Sequence, residues 1–220
     1  RTPSGVSYML ENREIMMKMF PDLFHSNRVL RVDDYPTRLL QTLMSLAPKK
    51  CESSVPTVVL LTPGHLNSAY YEHTFLSDQM GIEMVEAQDL FVENDFLYMK
   101  TVDGPKKIDV VYRRIDDDYL DPLAYNPNSV IGVPGITHVY KTGGVNICSA
   151  PGAGIADDKA VYIYVPEMIK FYLGETPILD NVQTWRCERG DDLKYVLENI
   201  DELVIKEVDG SGGHGMLIGP

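Results

Sequence analysis

The sequence predicts an α/β (α+β) chain built around an open, Rossmann-like sheet, and three observations lead there. Short apolar runs rich in β-branched residues recur at 57–61, 82–85 and 108–112. Stretches with apolar residues at helical spacing precede and separate them. Pro, Gly and Asn-Asp signals punctuate the joins, as turns require.

The elements follow in order. Arg1-Thr2-Pro3-Ser4-Gly5 is a loop, and residues 8–20 form a helix with Met9, Ile15, Met16, Met19 and Phe20 at helical spacing. Asp33-Asp34-Tyr35-Pro36 opens a second helix over 37–46, with Leu39, Leu40, Leu43 and Leu46 on one side. A polar link leads to the strand 57–61, ended by Thr62-Pro63-Gly64. A helix over 68–80, capped by Asn67-Ser68 and stopped by Gly81, leads to the strand 82–85. Phe91-Val92 and residues 96–100 flank Asn94-Asp95 as a hairpin, and Asp103-Gly104 is a further turn. The strand 108–112 runs into Arg113-Arg114. Residues 121–134 are loop-rich, and 145–148 is a strand. A helix capped by Asp157 and bent at Pro166 spans 158–173, and another spans 193–200. Strand 203–206, a glycine loop and a final strand close the chain.

Composition limits the function. At 220 residues, 44% hydrophobic and 24% charged, the chain can bury a sizeable core. A net charge of -12 argues against nucleic acid or an anionic membrane surface as partner, because each needs a basic face. A nucleotide remains compatible, since a few lysines and backbone N–H groups hold a triphosphate on an acidic protein. Cys51, Cys148 and Cys187 lie far apart, which suits reduced thiols in the cytoplasm rather than a disulfide framework or a zinc site. The five histidines show no metal-ligand spacing, although His65 and His73 flank a strand–helix turn. Both ends are read as cuts inside structure, so a longer protein is expected.

Besides residues 1–5, which read as a substrate or phosphate loop or else as a disordered end, three segments are candidates for the chemistry. In Lys206-Glu207-Val208-Asp209-Gly210-Ser211-Gly212-Gly213-His214-Gly215, the glycines let the backbone approach a ligand and turn N–H groups toward phosphate. Gly210, Gly212 and Gly215 also satisfy G-x-G-x-x-G. A dinucleotide fingerprint must open a helix, however, and residues 216–220 read as strand. Two readings remain: a flap over a triphosphate with Lys206 reaching its oxygens, or a flexible hairpin. The second segment packs Arg113, Arg114, Asp116, Asp117 and Asp118 at the carboxyl end of a strand, where ligands sit in open α/β sheets. Paired arginines bind a carboxylate or phosphate in bidentate fashion, and the aspartates accept from an amine. A solvated ion-pair cluster is the alternative. Third, Lys159 stands at a helix start, opposed to the helix dipole unless an anion lies near; a solvated lysine beside a capping Asp157 is the alternative.

Read together, the segments resemble the circularly permuted ATP-grasp family, type 2, bacterial proteins related to glutathionylspermidine synthetase. The resemblance runs through residues 1–8, Glu11-Asn12-Arg13, 32–36, 61–64, 67–73, 112–122, 132–135 and the Val204-Ile205-Lys206 flap. It implies a Rossmann-like pre-ATP-grasp domain at 55–155, with ATP-grasp portions at 1–54 and 156–220. It also implies a ligase that activates a carboxylate as an acyl phosphate with Mg-ATP before an amine, free or on a peptide, displaces phosphate. By the resemblance, Lys206, Lys159 and Gly210, Ser211, Gly212, Gly213, His214 and Gly215 contact ATP. Arg113, Arg114 and Asp116 are the candidate catalytic residues, and Arg1, Ser4, Gly5, Asp117 and Asp118 the candidates to bind substrate. The family's Mg²⁺-binding Glu-x-Asn pair is expected just upstream of Arg1. Glu207 stands where a proline is common. Two other classes are kept: a non-catalytic nucleotide-binding or scaffold protein of the same type, and an NAD-dependent oxidoreductase.

Overall fold

The computed structural model describes residues 5–210, 213 and 215–219. It is a mixed α/β fold that divides into two compact units, one running to Pro151 and the other from Gly152. The calls on Arg1, Ser4, Ser211, Gly212 and His214 lie outside the described residues.

The larger unit begins with α1 (Val6–Met19), α2 (Pro21–Ser26) and α3 (Tyr35–Ser45). Pro21 and Pro36 stand in the first turns of their helices, where a missing N–H leaves no hydrogen bond unmade. Next come β1 (Val58–Leu61), α4 (Tyr70–Met80) and β2 (Glu83–Val85), and β1 and β2 pair in parallel. Gly81 ends α4 in the left-handed region, at φ 64, which other residues adopt only with strain. The chain then makes an antiparallel meander of β3 (Leu90–Glu93), β4 (Phe96–Thr101) and β5 (Gly104–Ile108). It returns to the first sheet as β6 (Val110–Arg113), passes through α5 (Asp117–Leu120) and α6 (Ile136–Thr142), and ends in β7 (Asn146–Cys148).

The main sheet has the order β2-β1-β6-β7, all parallel. Every residue of β1 and β6 is buried, as central strands covered on both faces require. Alternation sorts their side chains. Val59, Leu61 and Val111 join Leu97, Ile108, Ile136 and Ile147 in one cluster. Val58, Leu60, Val110 and Tyr112 join Leu43, Leu76 and Met80 in the other. Because β2 and β6 lie on opposite sides of β1, the winding reverses between β1 and β6.

Two elements differ from the sequence reading. Residues 104–108, with Gly104 read as part of a turn and Ile108 as the start of the strand 108–112, form a third meander strand at a sheet edge, where Pro105 needs no ladder donor. Within the region that continues from the loop-rich stretch, α6 forms between Gly135 and Gly143. Buried Asp121 ties its start, accepting from the N–H groups of Gly135 and Thr137 at 3.0 Å each.

The smaller unit holds α7 (Lys159–Tyr162), α8 (Val165–Leu173), α9 (Gly190–Glu198) and an antiparallel pair, β8 (Val204–Ile205) and β9 (Leu217–Ile218). The single bent helix expected over 158–173 is two helices, with Pro166 in the first turn of the second. The cap is Asp158 rather than Asp157. Its carboxylate accepts from the N–H groups of Ala160 and Val161 at 2.8 and 2.9 Å.

Candidate functional site: a buried charged edge and a lysine-bearing glycine turn

In the larger unit, the carboxyl ends of β1 and β6 carry the side chains of interest. The ladder continues one residue beyond each strand: Thr62 N–H donates to Val85 O at 3.0 Å, and Arg114 N–H to Leu61 O at 2.9 Å. Both residues are therefore fixed by backbone bonds. α4 lays Glu72, His73, Leu76, Ser77 and Met80 on the sheet, one buried stripe at helical spacing. Its first turn is polar, and there the residues meet. Arg114 Nη2 donates to Glu72 Oε1 at 2.7 Å, with the side chains 6% and 3% exposed. Ser7, in the first turn of α1, places Oγ 3.4 Å from Glu72 Oε2. Thr62 Oγ1 and His73 Nδ1 lie 2.8 Å apart, and Gly64 N–H donates to Thr62 Oγ1.

Burial, with the nearby Arg114 cation second, pushes the His73 imidazole down to about 4, against the opposing pull of Glu72. His73 is thus neutral at pH 7. Burial also raises the Tyr35 phenol, which feels both Arg114 and Glu72. Nη1 of Arg114 is buried and has no hydrogen-bond partner among the described residues.

Arg113 and Arg114 do not form one fork. Adjacent strand residues point to opposite faces, and the two guanidiniums enter different surroundings. Arg113 is spent on protein groups. Nε donates to Ser149 O at 2.8 Å, Nη1 to Ile115 O at 2.9 Å and Nη2 to Ala150 O at 3.2 Å, and Nη1 pairs with Asp117 Oδ1 at 2.5 Å. It ties the exit of β7 to the turn after β6. Asp116 is the exposed cap position of α5, Asp117 faces Arg113, and Asp118 is exposed. Gly5 precedes α1 at φ 79, a left-handed conformation that suits glycine.

The sequence reading missed Ser7, Thr62 and Glu72. The available signal was the phase of α4, since Glu72 and His73 lie on the same helical face as Leu76 and Met80.

In the smaller unit, Lys159 and the glycine turn come together. The Lys159 backbone N–H donates to Val208 O at 3.1 Å. Its Nζ donates to Gly210 O at 2.6 Å and Val208 O at 3.3 Å. Those two carbonyls accept from the ammonium at the start of α7. Lys206 leaves β8 exposed to solvent. Gly213 and Gly215 take positive φ, 81 and 61, and a Cβ at Gly215 would run into the Glu207 side chain. A strand, β9, follows the turn instead of a helix, which counts against the dinucleotide reading. No helix among the described residues is long and apolar enough to cross a membrane.

Comparison with known proteins adds a family. A protein of Synechocystis sp. is 52% identical over the whole chain, which spans 45% of that protein. A Mycobacterium tuberculosis protein is 51% identical, again over the whole chain and 40% of its own length. A Frankia alni protein provisionally named glutamate–cysteine ligase 2-3 is 40% identical over the chain, which covers 25% of it. The chain thus spans less than half the length of these curated relatives. The family described as a circularly permuted ATP-grasp matches residues 1–220, and the chain belongs to that family.

Proposed function

We propose that the protein is an ATP-dependent ligase that joins a carboxylate to an amine through an acyl phosphate. The observation that supports this most is the placement of the Lys159 ammonium on the carbonyl lip of the glycine turn, 2.6 Å from Gly210 O. Family membership supplies the nucleotide class, since ATP-grasp proteins generally use ATP and Mg²⁺. The names of the Frankia relatives describe a ligation of the same kind, which makes glutamate and cysteine the first acid and amine to try. The precedent of glutathionylspermidine synthetase, by resemblance, is the same two-stage reaction with a peptide acid and a polyamine.

The residues present fit a triphosphate: two lysines, Lys206 exposed and Lys159 half-buried against the carbonyls of Val208 and Gly210, stand at the start of a glycine-rich segment. Lys159, Lys206 and Gly210–Gly215 would hold it. Bound ATP supplies the phosphoryl group that turns the carboxylate into a good electrophile. The lysines' task would be to balance charge gathering on the phosphoryl oxygens, in a site that the glycine segment would close to water. No residue of this chain is assigned to Mg²⁺, whose ligands are expected before Arg1.

In residues 55–155, which we read as the Rossmann-like pre-ATP-grasp part, Arg113 is a positioning residue and Asp117 holds it. Arg114 faces the substrate, and exposed Asp116 and Asp118 attract the amine. Arg1, Ser4 and Gly5 would bind substrate. A cytoplasmic location supplies the ATP.

Hydroxylamine trapping tests the reading. With Mg-ATP, an accepted acid and hydroxylamine, the full-length protein should yield a hydroxamate together with ADP and phosphate. Nucleotide binding with no hydroxamate from any acid of a broad panel would leave a nucleotide-binding protein that ligates nothing.

A further inference from the structure

The charged edge of the larger unit contains a detail that the ligase reading leaves without a stated partner. An arginine is buried to 6% side-chain exposure, a glutamate holds one arm, and the other arm, Nη1, meets no acceptor among the described residues. Leaving a buried charged donor unmet is costly, and native proteins do so rarely and mostly for a reason. The place is also distinctive. It is the carboxyl edge of a parallel sheet where the winding reverses between β1 and β6, the position at which open α/β sheets take their ligands. The first turn of the 14-residue α1 arrives here through Ser7, carries no acidic residue and has no side-chain cap, so its N–H groups add positive potential.

The charge balance narrows the ligand. Arg114 and Glu72 cancel each other. His73 adds nothing at neutral pH, because burial keeps it uncharged. Tyr35, Thr62 and Ser7 are neutral donors and acceptors. A bare anion would gain Arg114 but face Glu72, and a bare cation would meet the reverse. A group bearing both charges on neighbouring atoms satisfies both partners. We propose that the Arg114–Glu72 pair receives the head group of an α-amino acid, its carboxylate on Nη1 of Arg114 and its ammonium on Glu72. This deepens the ligase reading and rests on it, since it names the chemical class of one of the two substrates. Nη1 is closed to solvent here, so the ligand enters only as the side chains around it give way.

The test is a calorimetric comparison on the full-length protein. L-Glutamate is set against glutarate, which lacks the ammonium, and 4-aminobutyrate, which lacks the α-carboxylate. L-Alanine is set likewise against propionate and ethylamine. At least one amino acid should bind, and at least tenfold more tightly than either of its twins. Glu72→Gln, which keeps the size and one acceptor, should erase the preference for the amino acid over the matching acid. Equal binding of acid and amino acid would reveal a plain anion site, and binding of neither amino acid would remove the site altogether; both overturn the proposal. The comparison of twins on the unaltered protein decides the question even if Glu72→Gln does not fold. Mg-ATP titrated into the same preparation separates the two readings. ATP binding without amino-acid preference overturns this inference alone, whereas absent ATP binding overturns the ligase.

Discussion

The two units solve the problem of holding charge in opposite ways. In the larger unit, an arginine, a glutamate and a histidine are buried at the edge of a sheet whose strands are enclosed on both faces. In the smaller unit, Val196 is the single buried apolar side chain among the described residues, and the lysine is held by backbone carbonyls. Phe171, Ile178, Leu179 and Val182 there stand 78–97% exposed. The difference shows what each arrangement can do. A buried ion pair needs a rigid surround, because it tolerates little displacement once water is gone. A lysine on a turn can exchange a carbonyl for a phosphate oxygen at little cost. The larger unit holds its charges in fixed places, and on the proposed reading the smaller one follows a flexible polyphosphate.

Mutations separate the two most sharply. Glu72→Ala strands Arg114 as a buried unpaired charge and should cost about 3–5 kcal/mol of stability in denaturant unfolding. A loss under 1 kcal/mol would mean that the edge is wet and the contrast false. Leu60→Ala, in the doubly covered strand, should cost about 2–5 kcal/mol by cavity formation.

Acid acts on the larger unit next. His73 is held at about 4, below its ordinary 6.5, so the unfolded chain binds more protons between those values. Stability is complete above pH 6.5 and falls as pH drops through that window, by about 2 kcal/mol from pH 7 to pH 5. His73→Gln should flatten that slope, which stability measured against pH would show. In the smaller unit, Asp158→Ala removes the cap of α7 and should cost about 1 kcal/mol. Leu179→Ser should stay within about 0.5 kcal/mol, and a larger loss would show that this exposed face is covered in the protein tested.

Much of the larger unit was legible because its signals are local. The apolar run 58–61, the Gly81 stop and the strand into Arg113 all follow from residues adjacent in sequence. What escaped depends on partners far along the chain. The strand 104–108 holds Pro105, Lys106 and Lys107, a pattern that suits an edge only once β4 is there to pair with. α6 begins where Asp121, 14 and 16 residues earlier, supplies its acceptor. The candidate site divides in the same way. Arg114 and Lys159 stood out by charge at a strand end and a helix start. Their partners Glu72 and Gly210 are 42 and 51 residues away, and neither pairing can be read from spacing. Arg113 looked equivalent to its neighbour, yet its donors are taken up by Ser149, Ala150 and Ile115, contacts that only the folded sheet creates.

The central claim is that the lysine-bearing glycine turn is a nucleotide site. It is tested most directly by titrating Mg-ATP into the full-length protein and into its Lys159→Ala and Lys206→Ala variants. The account predicts binding by the parent, weakened at least tenfold in each variant while both remain folded. A folded parent that binds no Mg-ATP, or variants that bind as well as the parent, would contradict it.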